Sequence, residues 1–344
     1  MSNKDTYKPL LAITMGDPAG IGPEIAAMTF AGEELYLKCR PVLTGHRPTM
    51  EDTIRKLNLS LQINSIEDPS EARFVPGTLD LIEVGTEYKE VPKKAVVKAE
   101  SGDIAFQAVK KAIDLAMYKK VDGTVTGPIH KESINLAGHH FSGHTEIYAH
   151  YTNTKAYAML LAHGNFRVIH VTTHVSLRQA CDLVKKPRIL ETIRLMNEGL
   201  KQMGIAQPRL GVAGLNPHSG DGGLFGMEEI EEIVPAINEA KADGILVEGP
   251  VPPDTLFAIA YGGRYDGCVA MYHDQGHIPF KFMGFNWDEE TKTMKNVEGV
   301  NITLGLPIIR TSVDHGTAFE IAGTGKASPG ALKQAIDYAI KFVR

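Results

Sequence analysis

Eight short apolar runs punctuate the chain, at residues 10–15, 41–44, 79–84, 123–126, 167–172, 210–213, 245–247 and 268–271, each bounded by Gly, Pro, Asp or Asn. Runs this short and this apolar predict strands buried on both faces. Between them the pattern changes to a helical period. Ile104, Ala108, Val109, Ala112, Ile113 and Ala116 form one stripe, and Leu332, Ala335, Ile336, Ala339, Ile340 and Val343 form another. Such alternation predicts an α/β fold built from βαβ units around a largely parallel sheet. Residues 157–162 and 166–172 are linked only by His163, Gly164 and Asn165, which predicts a hairpin and some antiparallel pairing mid-chain. No repeat, low-complexity tract or flexible linker breaks the pattern. Two domains would therefore be joined by crossing strands or helices, with both ends of the chain in one of them.

Composition sharpens this picture. At 344 residues and 43% hydrophobic, the chain has enough apolar material for two α/β domains. A formal net charge of −5 supplies no basic field, which argues against nucleic acid or an acidic membrane surface as a partner. A local cationic pocket stays open. No run approaches the roughly 18 apolar residues of a membrane span, and the first one leads into a Gly-Pro turn, as a strand does and a signal peptide does not. Cys39, Cys181 and Cys268 are widely spaced and form no CxxC pair, which fits reduced thiols and a cytoplasmic location.

Candidate chemistry begins with histidines. His174 in HVTTHVSLR, His218 in GLNPHSGDGG and His273 in AMYHDQG each follow a predicted strand. Carboxyl ends of strands are where α/β proteins bind ligands, and three imidazoles converging there would hold a divalent metal with a coordination position left for substrate. Spacing alone leaves the alternative of hydrogen-bonded surface histidines. Asn216 and Asp274 would orient the rings, or serve as turn residues.

A second group suits anions. In FSGHTE, His144 and Thr145 stand before a predicted helix starting at Glu146, where backbone N–H groups and a hydroxyl would hold a phosphate; the plainer reading makes Thr145 the helix cap. Lys281 in PFKFMGF and Arg310 in LPIIRTS are cations inside apolar runs, so each needs an anionic partner, a substrate phosphate or an internal carboxylate. Asn301 in GVNITLG adds a neutral donor, or ends a strand or turn. The first strand is followed by GDPAGIGPE rather than GxGxxG, so the usual dinucleotide fingerprint is absent. SGDGGLFG reads as a flexible loop beside His218. DHGTAFEIAGTGKASP is rich in small residues that let a flat ligand approach the backbone.

Taken in order, TMGDPAGIGPE, VTGPIHKESIN, GHTE, TTHVSLR, GLNPHSGDGG, PPDTLF, AMYHDQG and VNITLGLPIIRTSVDHGTA resemble the 4-hydroxythreonine-4-phosphate dehydrogenase family over nearly the whole chain. The resemblance implies an isocitrate/isopropylmalate-dehydrogenase-like fold, two α/β/α domains with a cleft between them. The first would comprise residues 1–147 and 308–344, and the second, with the metal histidines and the dimer interface, 148–307. It further implies His174, His218 and His273 as metal ligands, His144, Thr145, Lys281, Asn301 and Arg310 as substrate binders, and His315, Gly316, Thr317 and Ala318 as holders of the adenosine part of NAD. NADP remains an alternative. One divalent metal per site is implied, zinc first, with magnesium, manganese or cobalt open. The implied assembly is a homodimer with shared active sites, one metal histidine coming from the partner chain.

The expected chemistry is oxidation of the C3 hydroxyl of a 4-phosphorylated four-carbon hydroxy acid, followed by loss of carbon dioxide from the β-keto acid. Lys281 and Arg310 would orient the substrate and stabilise charge, and Asp254 in PPDTLF or a metal-activated water would take the proton, unless Asp254 only caps a helix. The charged insertion at 287–299 separates Lys281 from Asn301 and resembles the branch acting on D-threonate or D-erythronate 4-phosphate. The alternatives are 4-hydroxythreonine 4-phosphate in vitamin B6 synthesis, or a zinc-dependent lyase or hydrolase.

Overall fold

The apolar runs fold as strands and the striped stretches as helices, over the residues that the computed structural model describes, 7–290, 293–295 and 299–343. The chain divides into two units. One runs to Lys155 and resumes at Leu306; the other is Ala156–Gly305.

The first unit begins with β1 (Leu10–Thr14), α1 (Gly22–Phe30), α2 (Glu33–Lys38), β2 (Arg40–Gly45), α3 (Arg47–Lys56) and β3 (Gln62–Ile66). It continues with β4 (Thr78–Glu83), α4 (Ala99–Met117), β5 (Gly123–Thr126), α5 (Lys131–Leu136) and α6 (His144–Tyr151). The α4 stripe is buried as its period requires, with Ala112, Leu115 and Ala116 packed on Ala12, Val42 and Ile82. Each fully buried side chain of the size of Ile113 contributes about 1.5–3 kcal/mol. Polar Gln62–Ile66 was not expected as a strand; among the described residues it pairs with β4 alone, where a half-exposed edge tolerates its composition.

The second unit holds β6 (Ala158–His163), β7 (Phe166–His170), α7 (Leu177–Leu183), α8 (Lys186–Gln202), β8 (Arg209–Ala213) and α9 (Val234–Ala242). It continues with β9 (Leu246–Val251), α10 (Pro253–Tyr261), β10 (Gly267–Ala270), α11 (His273–Gly284), β11 (Asn286–Asp288), β12 (Thr293–Lys295) and β13 (Val300–Leu304). Its strand order is β13-β6-β7-β10-β8-β9. The predicted hairpin is present, but His163 pairs with Phe166, so the turn is Gly164-Asn165 alone. From β7 to β9 the pairing is parallel, so β7, β10 and β8 end side by side at one edge. Within the charged insertion, β11 and β12 form an antiparallel ribbon; positions 291–292 and 296–298 lie outside the described residues.

The chain then returns to the first unit with β14 (Arg310–Val313) and α12 (Gly330–Val343). That unit's order is β3-β4-β2-β1-β5-β14, parallel throughout. The carboxyl ends of β1, β5 and β14 are thus neighbours.

Candidate active site

The three predicted ligand histidines follow the neighbouring parallel strands β7, β10 and β8. His174 lies four residues past the end of β7, and His273 opens α11 three residues past the end of β10. Thr172 N and Oγ1 both donate to the Met271 carbonyl, at 3.2 and 2.9 Å, fastening the two segments together. Their imidazole centroids are 5.8 Å apart. His218 stands exposed in a turn, Pro217–Gly223, after β8. Gln275 ties this edge together: its side chain accepts from Met271 N at 2.6 Å and donates to the Gly214 carbonyl at 2.8 Å.

The donor chemistry fits a divalent metal. Asp274 Oδ1 lies 2.7 Å from His273 Nδ1, an arrangement that orients an imidazole to offer Nε2. Asn216 does not orient a ring; its amide donates to Glu228 and Glu229. Among the described residues of one chain, no three His, Cys, Asp or Glu side chains are placed to hold a metal. His174 and His273 form the pair, and His218 is not brought into ring contact with them.

Two further histidines extend this cluster. His277, one helical turn along α11, stacks on His273 with centroids 3.6 Å apart, and buried His170 stands 4.7 Å from His277. A Cβ at position 276 would meet His170 Nε2 at 2.4 Å, so Gly276 is what lets α11 approach β7. Burial first, then the neighbouring imidazoles, pushes His277 down to about 4 and His170 well below its ordinary value. Both are therefore uncharged near neutral pH.

Lys281 continues the same helical face at four-residue spacing, with Nζ 4.3 Å from the Phe285 ring centroid. Asn301 sits inside β13, paired with Leu161, and so neither ends the strand nor makes a turn. Asp254 is exposed in the first turn of α10. It is not the cap, which is Pro252 without a side-chain bond.

In the first unit, α6 starts at His144 rather than Glu146, and its cap is Gly143, in extended backbone, rather than Thr145, which lies inside the helix. His144 Nε2 is buried without a hydrogen-bond partner. Burial, then the charges of Arg310 and Lys131, holds this imidazole well below its ordinary pKa. Arg310 is itself buried on β14, donates from Nη2 to Thr126 Oγ1 at 3.0 Å, and lies 5.7 Å from the Tyr148 ring centroid. Burial lowers its pKa to about 10. A buried guanidinium, a buried imidazole nitrogen with no hydrogen-bond partner and a helix start whose cap is a glycine together suit a phosphate.

The segment His315, Gly316, Thr317 and Ala318 follows β14 and rests on the loop after β1. Ile21 N donates to the Thr317 carbonyl at 3.0 Å, and buried Glu24 accepts from Gly323 N at 3.0 Å and Gly325 N at 2.7 Å. The ring of Phe319 stacks on His130 at 4.9 Å. Gly316 faces open space, so a flat ligand has access to the backbone there.

Over residues 37–339 the chain matches the family of the pyridoxal phosphate biosynthetic protein PdxA. The chain belongs to the PdxA family. Among its relatives, the D-threonate 4-phosphate dehydrogenase of Pectobacterium atrosepticum is 45% identical, covering 97% of this chain and 99% of its own. The enzyme of that name from Salmonella typhimurium is 44% identical, covering 96% and 98%. The crystal structure of 4-hydroxythreonine-4-phosphate dehydrogenase from Klebsiella pneumoniae superimposes with a TM-score of 0.86 at 42% identity, covering 98% of this chain and all of that one.

In this member of the family, some residues at the site escaped the sequence reading. His170 and His277 each stand four residues from a predicted ligand, and that doubled His-x3-His spacing was a usable signal. Thr126, Lys131 and Tyr148 carried none, because their relation to Arg310 and His144 exists only once β5, β14 and α6 are assembled.

Proposed function

We propose that this chain is an NAD-dependent, divalent-metal-dependent dehydrogenase that oxidises and decarboxylates D-threonate or D-erythronate 4-phosphate. The observation that carries this reading is the delivery of His174, His218 and His273 to one sheet edge by three neighbouring parallel strands. Full-length similarity to enzymes named for D-threonate 4-phosphate supports the substrate.

His144, Thr145, Arg310 and the start of α6 take the phosphate, and Lys281 and Asn301 orient the acid end. The metal, zinc first among the candidates, would supply a Lewis acid at the hydroxyl oxygen and NAD the hydride acceptor. Asp254, exposed on the helix that packs against the His218 turn, receives the hydroxyl proton directly or through water. His315, Gly316, Thr317 and Ala318 hold the adenosine part of the nucleotide. Oxidation at C3 places a ketone β to the carboxylate, and carbon dioxide then leaves.

The active unit is a homodimer in this reading, His218 reaching the His174–His273 pair of a second copy. Large exposed apolar side chains on the histidine-bearing segments support it: Leu224 is 73% and Phe282 85% exposed, joined by Leu177, Phe225 and Ile278. No helix among the described residues is long and apolar enough to cross a membrane. Replacing each of the three histidines by Ala tests the reading: metal content should fall and kcat should drop by at least about a hundredfold. Full activity in a metal-free His218→Ala protein would overturn it.

A further inference from the structure

Glu229 belongs to the run EEIEEI, which by composition reads as a solvated acidic face. In the fold its side chain is buried, 2% exposed. Oε1 accepts from the backbone N–H groups of Leu215 and Asn216, both at 2.8 Å, and Oε2 accepts from Asn216 Nδ2 at 2.9 Å. On the far side of His218, a Cβ at position 220 would stand 2.7 Å from Oε2, so Gly220 is the residue that lets the loop close over the carboxylate. The carboxylate thus sits inside the loop that carries His218 and touches it both before and after that residue.

The loop between those contacts runs through conformations that its own residues disfavour, held in part by Ser219 N donating to the Asn216 carbonyl at 3.1 Å and Phe225 N to the Gly220 carbonyl at 3.2 Å. His218, Ser219 and Asp221 have φ of 51°, 54° and 44°, a left-handed conformation that L side chains rarely adopt, and Gly220 and Gly222 continue it. Left-handed residues in succession persist only when surrounding structure over-determines them. Glu229 adds to that constraint from outside the loop, by accepting three hydrogen bonds from Leu215 and Asn216 and packing against Gly220. It does so from a turn, Glu229–Ile233, wound as a π-helix, a form that recurs at functional sites.

We infer that Glu229 is a positioning residue that sets the His218 loop for metal binding, an inference that rests on His218 being a ligand. It holds whether His218 serves its own chain or a second copy.

The test uses the purified full-length protein stripped of metal, with cobalt(II) as probe, read by competition with a chelating dye, by the visible cobalt spectrum and by thermal unfolding without metal. Glu229→Ala should weaken cobalt binding about ten- to a hundredfold and change the spectrum. Glu229→Gln keeps an oxygen for the two N–H groups but sets an amide opposite Asn216 Nδ2, and should fall between; it decides the matter if the alanine variant does not fold. Leu200→Ala, a core change in α8 that lowers stability away from the loop, should keep cobalt affinity. Wild-type affinity and spectrum in the Glu229 variants, or an equal loss in Leu200→Ala, would overturn the proposal. His218→Ala separates the two levels: if it binds cobalt as wild type does, the ligand reading falls and this inference with it. If it alone loses cobalt, only the role of Glu229 falls.

Discussion

Asp274 Oδ1 stands 2.7 Å from His273 Nδ1, which commits that nitrogen to the carboxylate and turns Nε2 outward for another partner. Carboxylates in this relation fix the tautomer of a ligating imidazole. Asp274→Asn should therefore keep the fold and lower divalent-metal affinity about tenfold. Chelator competition on the purified variant measures this, and unchanged affinity would mean that the pair is only a surface contact, as the 70% exposure of Asp274 allows.

The closeness of His174 and His273 decides which variants complement one another. Because those two come from one chain, mixing His174→Ala with His273→Ala subunits repairs neither site. His218→Ala mixed with His273→Ala should rebuild one good site per heterodimer, about a quarter of wild-type activity in a statistical mixture. Subunit exchange followed by assay checks it, and equal recovery from both mixtures would contradict the shared arrangement.

A pH dependence follows from His144. Its folded pKa lies below the ordinary 6.5, so the unfolded chain binds a proton that the folded chain refuses. Stability from this group is present above that pH and is lost as the pH falls below it. Thermal unfolding followed downward from pH 6.5 should show a steeper decline in wild type than in His144→Gln, by about one proton. Parallel declines would place the ring in a more open setting.

Much of this architecture was legible in the sequence, and the gaps have physical causes. Strands such as Leu10–Thr14 and Gly267–Ala270 read clearly because burial on both faces demands a nearly unbroken apolar run. Gln62–Ile66 did not, since an edge strand needs only one buried position, here Ile66. Arg310 and Asn301 masked β14 and β13, because a polar side chain interrupts the apolar signal of the strand that carries it. Motif order singled out His174, His218 and His273; the fold places His174 and His273 side by side and His218 on the turn after the neighbouring strand β8. Glu229 was hidden, because its role depends on bonds to Leu215 and Asn216 that no spacing encodes.

Substrate choice turns on the carbon-2 substituent, a hydroxyl in the sugar acid phosphates and an ammonium in 4-hydroxythreonine 4-phosphate. Side-by-side kcat/KM values for D-threonate, D-erythronate and 4-hydroxythreonine 4-phosphates should favour a sugar acid. A tenfold preference for the amino acid, about 1.4 kcal/mol in transition-state binding, would reverse the proposed specificity.

The central claim, hydride transfer to NAD at a metal-dependent site, is tested most directly by following NADH absorbance while metal-loaded enzyme is mixed with NAD and D-threonate 4-phosphate, then repeating the run with chelator. The account predicts NADH formation with release of carbon dioxide, abolished by the chelator and restored by added divalent metal. Consumption of the phosphorylated acid without NADH would contradict it and point to a lyase or hydrolase.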